Sequence, residues 1–311
     1  MILCIGTTPA AQRVMAFRNL TIDAVNRAVT TLDGAAGKSV NVAKVLKALG
    51  EHPVATGFLG GDSGEQLLAL LEGQGIELEF VTVAPRTRHC ITLLDTSAGT
   101  HTELVEESQP VVAADYEELM RVIRRRVKGC SAVVMSGTIT PGGPADLYFH
   151  GTQMAHEAGA IAVVDAQGAA LIEALKARPA RVKPNRPELA ATLGQELKDE
   201  AAVMSAMREL CERGAQRVVI TAGKDPALAF DGQRWWRVHA PRIDATNPIG
   251  SGDAFAAGLV WRLLRGEDLG EACRWASATG AANALTMQAG EVHRSDVERL
   301  LEDVRVEAIT A

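Results

Sequence analysis

A glycine-rich turn followed by an aspartate, Gly250-Ser251-Gly252-Asp253, is the segment of the sequence best suited to chemistry. An apolar helical pattern follows it directly, so we expect the turn to present the free N–H groups and positive dipole end of a helix N-terminus. Such a turn can bind phosphoryl oxygens, and an aspartate in the first helical turn can accept a proton from an attacking hydroxyl. The segment therefore indicates phosphoryl transfer, although the same residues also suit a plain helix N-cap.

The composition is that of an ordinary globular protein, with 311 residues of which 47% are hydrophobic and 23% charged. A net charge of −6 argues against the basic surface expected of a nucleic-acid-binding protein. No apolar stretch is long enough to cross a membrane, and the N-terminal apolar run is too short for a signal peptide. Five scattered cysteines lack metal-ligand spacing, which favours reduced thiols, a cytoplasmic location and small-molecule partners.

Short apolar runs alternate with longer helical patterns along the chain. This alternation predicts an α/β fold with a central, mostly parallel sheet and helices on both faces, in which ligands bind at the carboxyl ends of the strands. The predicted strands are 2–5, 54–58, 132–136, 160–165, 182–183 and 217–221. The predicted helices are 40–49, 64–74, 116–127, 151–158, 200–213, 253–265 and 269–285.

Two stretches, approximately 11–36 and 86–106, break this alternation. They are richer in threonine, valine and arginine, and their polarity partly alternates, which is typical of β-structure. A small sheet built from these two separated segments is expected to cover the binding site as a lid. The chain would then be a single domain, residues 1–311.

The segment 247–253 is similar to the C-terminal signature of the PfkB-type, ribokinase-like carbohydrate kinases. Further similarities lie at 37–43, 57–64, 136–142 and 183–188 and cover nearly the whole chain. The resemblance implies a ribokinase-like fold and an enzyme that phosphorylates a sugar with ATP and Mg²⁺. It also implies that Asp253 is the catalytic base and that Gly250, Ser251 and Gly252 form the anion hole.

Other site residues follow from the same resemblance. Asn185 and Glu188 would organise Mg²⁺, largely through water, which agrees with the few carboxylates that this ion prefers. The residues expected at the sugar are Gln12, Arg27, Gly37, Lys38, Asn41, Arg88, Glu103 and Ser136. The residues expected at ATP are Lys183, Asn185, Thr221, Gly223 and Asn283.

Several dipeptides resemble the branch of phosphofructokinases and tagatose-phosphate kinases, among them Asn26-Arg27 and Thr87-Arg88. Because arginine presents a planar fork of donors, Arg27 and Arg88, together with Lys38, are expected to hold a phosphate already on the sugar. The chain departs from this branch in having Gln12 where an aspartate is usual. The substrate therefore stays open among tagatose 6-phosphate, fructose 1-phosphate, fructose 6-phosphate and an unphosphorylated relative.

Two other interpretations remain. Residues 34–39 suggest a P-loop, but that motif needs a glycine at position 32, which is Leu32. A sugar-phosphate sensor without catalysis is suggested by the changes at Gln12, Ala36 and Ser39. The resemblance further implies a homodimer formed through the lid.

Overall fold

The computed structural model describes residues 1–309, and its strands and helices are as follows. The strands are β1 (Ile2–Ile5), β2 (Ala10–Phe17), β3 (Thr30–Ala36), β4 (Pro53–Thr56), β5 (Phe58–Leu59), β6 (Glu77–Leu78), β7 (Val81–Thr82), β8 (Arg88–Asp95), β9 (Thr100–Val105), β10 (Ala132–Ser136), β11 (Ile161–Asp165), β12 (Arg181–Val182), β13 (Val218–Ala222), β14 (Asp225–Phe230), β15 (Trp235–His239) and β16 (Arg305–Ile309). The helices are α1 (Lys38–Ala48), α2 (Gly61–Leu71), α3 (Ala113–Arg126), α4 (Leu147–Glu157), α5 (Gly168–Leu175), α6 (Arg186–Leu193), α7 (Glu200–Glu212), α8 (Ser251–Leu263), α9 (Leu269–Ala284) and α10 (Arg294–Leu300).

A ten-stranded sheet forms the centre of the fold, in the order β16-β15-β14-β13-β12-β11-β10-β1-β4-β6. The seven strands β13, β12, β11, β10, β1, β4 and β6 run parallel, whereas β14, β15 and β16 are antiparallel additions at one edge. The carboxyl ends of the parallel strands therefore face the same side of the sheet, where a ligand site is expected. The predicted fold class is confirmed.

The two faces of this sheet carry separate parts of the core. In β1, Ile2 and Cys4 pack on the face that bears α1, α2, α8 and α9, whereas Leu3 and Ile5 pack on the face that bears α3, α4, α5 and α7. This follows from the two-residue period of a strand, because both faces of a parallel sheet are covered by helices. Buried side chains of the strands therefore hold helices against both faces of the sheet.

A second, four-stranded sheet has the order β3-β2-β8-β9 and packs around Val14, Ala16 and Leu94. Its strands come from the two stretches expected to form β-structure, while residues 18–29 of the first stretch connect β2 to β3 without a strand. We refer to this sheet as the lid sheet. Within residues 1–309, no helix has the length and apolar character needed to cross a bilayer.

Candidate active site

A cavity of about 400 Å³ lies between the carboxyl ends of the main-sheet strands and the lid sheet. This volume is within the range typical of small-molecule sites. The main sheet contributes residues at or just after the ends of β11, β12 and β13, and the lid sheet contributes side chains of β2, β8 and β9. Of the residues expected from the sequence, the following line the cavity: Gln12, Gly37, Lys38, Asn41, Arg88, Glu103, Lys183, Asn185, Glu188, Thr221, Gly250, Gly252 and Asp253.

The turn before α8 is built around Gly250, which has a φ of 84°. This is the left-handed region that favours glycine. A Cβ atom added there would also lie 2.9 Å from Cβ of Ala289, so both backbone and space require glycine. The N–H of Ser251 is bonded to the carbonyl of Pro248 at 3.1 Å, whereas the N–H groups of Gly250 and Gly252 have no protein acceptor among the described residues. These two amides are free to bind an anion.

Asp253 lies in the first turn of α8 and is only 6% exposed. Burial raises the pKa of its carboxyl group to about 6, and the nearby Asp165 adds to the rise, while the ammonium group of Lys38 opposes it. Asn41 on α1 donates a hydrogen bond of 2.8 Å from Nδ2 to Oδ2 of Asp253. The carboxylate is thus oriented, and its pKa is suited to accepting a proton near neutral pH.

Two lysines share the buried carboxylate of Asp165 at the end of β11. Lys38 Nζ lies 3.3 Å from Oδ1 and Lys183 Nζ lies 3.0 Å from Oδ2. Although burial alone would raise it, the two ammonium groups hold the pKa of Asp165 below its ordinary value. A Cβ atom added at Gly252 would lie 3.9 Å from Nζ of Lys183, which shows that this ammonium faces the α8 turn. The ammonium group of Lys183 therefore places a positive charge beside the turn that carries the two free amides.

Asn185 and Glu188 form a reciprocal cap at the start of α6. The N–H of Glu188 donates to Oδ1 of Asn185 at 2.8 Å, and the N–H of Asn185 donates to Oε2 of Glu188 at 2.9 Å. Glu188 Oε1 accepts a 2.8 Å hydrogen bond from Lys38. Between residues 1 and 309 there is no cluster of three or more acidic, histidine or cysteine side chains that could hold a metal. The donor set fits a Mg²⁺ ion held mainly by phosphate oxygens and water, with Glu188 acting through water.

The lid side of the cavity carries polar atoms without protein partners. Gln12 is buried; its Nε2 donates to Oγ1 of Thr92 at 3.2 Å, while its Oε1 has no partner in the described chain. Arg88 donates from Nη2 to the carbonyl of Thr8 at 3.1 Å, and its buried Nε is likewise unpaired there. Because unpaired buried polar atoms are costly, these atoms indicate where a polar ligand binds.

The structure does not bring five expected residues to the lining of the cavity. Arg27 lies exposed in the connection between β2 and β3, and Gly223 lies in the turn after β13. Asn283 is fully buried behind the α8 turn, where Nδ2 donates to the carbonyl of Ile249 at 2.9 Å and Oδ1 accepts from the N–H of Gly290 at 2.8 Å. Ser136 is buried at the end of β10, and Ser251 contacts Asn283.

The P-loop interpretation fails on local structure. Gly34, Ala35 and Ala36 belong to strand β3, where they pair with β2, and only Gly37 separates this strand from α1. Gly37 has a φ of 104°, and a Cβ atom there would lie 2.6 Å from Cα of Pro9. Its role is a tight turn between the lid sheet and α1, so there is no phosphate-binding loop in this segment.

Seven cavity residues were not expected from the sequence as site residues: Ala10, Ala36, Cys90, Val105, Asp165, Ile249 and Ala289. Asp165 was seen only as a strand end, and its pairing with two lysines depends on residues far apart in the chain. Cys90 is one of the five scattered cysteines for which the sequence predicts only a reduced thiol. Ala289 contributes backbone and a methyl group, for which no sequence signal exists.

The sequence matches the family described as pfkB family carbohydrate kinase over residues 1–295. Solved structures with the same fold include a provisionally assigned phosphofructokinase of Staphylococcus aureus, with 28% identity, 99% of each chain covered and a TM-score of 0.80. A provisionally assigned 1-phosphofructokinase of Thermotoga maritima is 24% identical, with 99% of each chain covered and a TM-score of 0.91. Phosphofructokinase-2 of Escherichia coli, in complex with fructose-6-phosphate, is 24% identical over 97% of this chain and 98% of that chain, with a TM-score of 0.86.

Proposed function

Because this chain belongs to the pfkB family of carbohydrate kinases, we propose that it transfers the terminal phosphoryl group of ATP to a hydroxyl group of a phosphorylated ketose. The observation that carries the proposal is the position of Asp253, which is buried, hydrogen-bonded and in the first turn of the helix that follows Gly250. A proton acceptor and an anion site on the same helical turn are the two components that phosphoryl transfer to an alcohol needs.

In the proposed reaction, Asp253 accepts the proton of the attacking hydroxyl group as the new O–P bond forms. The free N–H groups of Gly250 and Gly252 and the ammonium groups of Lys38 and Lys183 stabilise the negative charge on the transferring phosphoryl oxygens. A bound Mg²⁺ would neutralise charge on the nucleotide phosphates. Since the lid sheet covers the cavity, it would exclude water and thereby suppress hydrolysis of ATP.

The sugar that accepts the phosphoryl group would lie on the lid side of the cavity. Gln12 donates one N–H of its amide to Thr92, and its free Oε1 can accept a hydrogen bond from a sugar hydroxyl, as an aspartate would. Arg88 offers its unpaired Nε to an anionic group, which supports a substrate that already carries a phosphate. The phosphofructokinase assignments of the S. aureus and T. maritima proteins support the same class. Tagatose 6-phosphate, fructose 1-phosphate and fructose 6-phosphate are the first candidates.

A homodimer through the lid sheet is part of the proposal. Apolar side chains of Ile22, Val25, Leu104 and Val105 are 86%, 81%, 51% and 47% exposed, and all belong to β9 or to the connection before β3. Exposed large apolar side chains of this kind support an interaction surface on the lid sheet. A tetrameric form is known for E. coli phosphofructokinase-2. Sedimentation of the wild type and of a Val25→Glu, Leu104→Lys variant tests this: the wild type should sediment as a dimer and the variant as a monomer.

The decisive experiment is a coupled ADP-release screen over free and phosphorylated ketoses and aldoses. We expect ADP release with one phosphorylated ketohexose, and a loss of about 10²–10⁴-fold in kcat for Asp253→Asn. Asp244→Asn, the same substitution at an exposed position nine residues earlier, is the matched control and should behave as the wild type. Absence of ADP release with every sugar by folded protein that binds ATP would instead support a sensor.

A further inference from the structure

Lys44 lies on α1, one turn after Asn41, and does not line the active-site cavity. Its ammonium group donates hydrogen bonds of 2.7 Å to the carbonyl of Ala289 and 3.1 Å to the carbonyl of Ala35. Ala35 belongs to β3 of the lid sheet, and Ala289 belongs to the segment between α9 and α10. One side chain therefore joins the lid sheet to a segment that follows the last long helix.

That segment supports the anion-binding turn directly. A Cβ atom added at Gly250 would lie 2.9 Å from Cβ of Ala289 and 3.1 Å from the backbone nitrogen of Gly290, so the two backbones are in contact. Asn283 bonds both to Ile249 in the turn and to Gly290 in the segment. A displacement of Ala289 would consequently displace the Gly250 turn.

A second side chain makes the same connection. Gln288 Nε2 donates to the carbonyl of Asp33 in β3 at 3.1 Å. Two side chains, Lys44 and Gln288, thus hold the last residues of β3 against the segment behind the turn. The lid sheet is fixed to the anion site at this point by hydrogen bonds rather than by apolar packing alone.

Stability alone does not favour a lysine at position 44. Its side chain is largely enclosed, and burial lowers the pKa of Lys44 to about 8, with Glu291 opposing the fall. The charged side chains around it are Glu291 and Lys47, whereas the carboxylate of Asp33 is paired with Arg13 at 2.6 Å. Since Lys44 has no close carboxylate partner, the cost of burying its charge is offset mainly by its hydrogen bonds to two carbonyl groups.

We propose that Lys44 is a positioning residue, which keeps the lid sheet in register with the Gly250 turn by holding the carbonyls of Ala35 and Ala289 together. In this role it fixes the distance between a sugar bound on the lid side and a phosphoryl group bound at the turn. The effect on catalysis rests on the proposed kinase function. The mechanical connection between β3 and the segment around Ala289 does not.

The test compares Lys44→Met, which removes the donor but keeps the length, with Lys44→Arg, which keeps the charge and the donors. Lys47→Met is the matched control, because Lys47 lies one turn further on α1 and lines the same surface cavity beside α1 as Lys44, while its ammonium group makes no hydrogen bond with the described residues. We expect Lys44→Met to lose on the order of tenfold or more in kcat with a raised KM for the sugar, since small displacements of reacting groups have effects of this size. Lys44→Arg should recover most of the loss, and Lys47→Met should match the wild type.

Amide hydrogen exchange provides the readout that is independent of activity. In Lys44→Met, residues 30–36 and 286–291 should exchange faster, with little change in the centre of the main sheet. Wild-type kcat and KM in Lys44→Met, even with a lower melting temperature, would overturn the positioning role. If Lys44→Met does not fold, Lys44→Gln is measured instead, because its side chain can reach at most one of the two carbonyls. The same results support or overturn the positioning role. If Lys44→Met exchanges faster in these segments but the wild type phosphorylates no sugar, the connection between β3 and residues 286–291 is supported and the kinase proposal alone is refuted.

Discussion

Nδ2 of Asn41 lies 2.8 Å from Oδ2 of Asp253, and this hydrogen bond joins α1, which follows strand β3 of the lid sheet, to α8, which carries the proposed base. A donor on one carboxylate oxygen stabilises the charged form and limits the carboxylate's rotation. The other oxygen, Oδ1, has no protein donor among residues 1–309, so it can receive the proton of the substrate. The pair therefore defines which face of the carboxylate acts.

Removal of this donor should change the pH dependence of the reaction. In the proposed reaction the charged form of Asp253 is the base, so kcat/KM should rise as pH increases through about 6. In Asn41→Ala the hydrogen bond that lowers the pKa is lost, and the acidic limb should move to higher pH. Gln12→Ala is the control, because it removes a group of the same cavity that does not touch Asp253. Gln12→Ala should lower kcat/KM without moving the acidic limb of the pH profile. An acidic limb at the same pH in the wild type and in Asn41→Ala would contradict the proposal that Asp253 is the base.

Asp253 should also cost the protein stability. Its pKa in the folded state lies above the value of 3.8 for an ordinary aspartate, so the folded state binds more protons and its stability should fall as pH rises from about 4 to about 6. At pH 7.5, Asp253→Asn removes a buried charge and should raise the free energy of unfolding by about 1–3 kcal/mol. Thermal melting measures this, with Asp244→Asn expected to leave the melting temperature unchanged. A destabilised Asp253→Asn would show that the charge is fully compensated.

Arg88 and Arg27 should differ in their effect on substrate binding, although both were expected from the sequence to hold a phosphate. Arg88 lines the cavity and has a free Nε, whereas Arg27 is exposed in the connection between β2 and β3. Arg88→Ala should raise the KM for a phosphorylated sugar by about 10–100-fold, the effect of losing a hydrogen bond to a charged group. Arg27→Ala should have a much smaller effect at the same enzyme concentration. An equal rise in KM in both variants would mean that the connection between β2 and β3 reaches a substrate site.

The activity should not depend on potassium. Both polar atoms of the buried Asn247 side chain are used within the protein, because Nδ2 donates to the carbonyl of Met287 at 2.8 Å and Oδ1 accepts from the N–H of Ile249 at 3.1 Å. A cation at this point would find a neutral amide and an occupied carbonyl. E. coli phosphofructokinase-2, in contrast, has been obtained in complex with potassium. The initial rates in potassium and in tetramethylammonium buffers should be equal. Activation by potassium would contradict this prediction, and activation that persists in Asn247→Leu would mean that the ion binds away from Asn247.

Much of the fold followed from local patterns in the sequence. The strands β1 and β10 match the predicted bounds, and α8 begins within two residues of its predicted start, because each is preceded by a strong turn signal or consists of continuous apolar residues. The helices α5, α6 and α10 were not predicted. Each has only seven or eight residues, too few for a clear helical period. Strand β16 was missed because it is an edge strand with mixed polarity.

The site could be predicted where its residues are adjacent in sequence, as in the segment 250–253. It could not be predicted where a role depends on residues distant in sequence. Lys38 was expected to bind the phosphate of the sugar, but its ammonium group lies between Asp165 and Glu188, which are 127 and 150 residues further along the chain. Asn283 was expected beside the nucleotide, but α9 is buried around most of its circumference, so the sequence pattern did not reveal which way this side chain points.

The cavity is assembled from two parts of the chain that do not interleave. Gln12, Arg88 and Glu103, which line the lid side of the cavity, all come before residue 106, whereas the residues of the turn at 250 and Lys183 come after residue 164. Apart from Lys38 and Asn41, the residues proposed for the sugar therefore precede in the sequence those proposed for the phosphoryl group. A chimaera that takes its first third from a relative with a different sugar preference should change the sugar that is phosphorylated and retain the phosphoryl transfer, provided that Lys38 and Asn41 are kept.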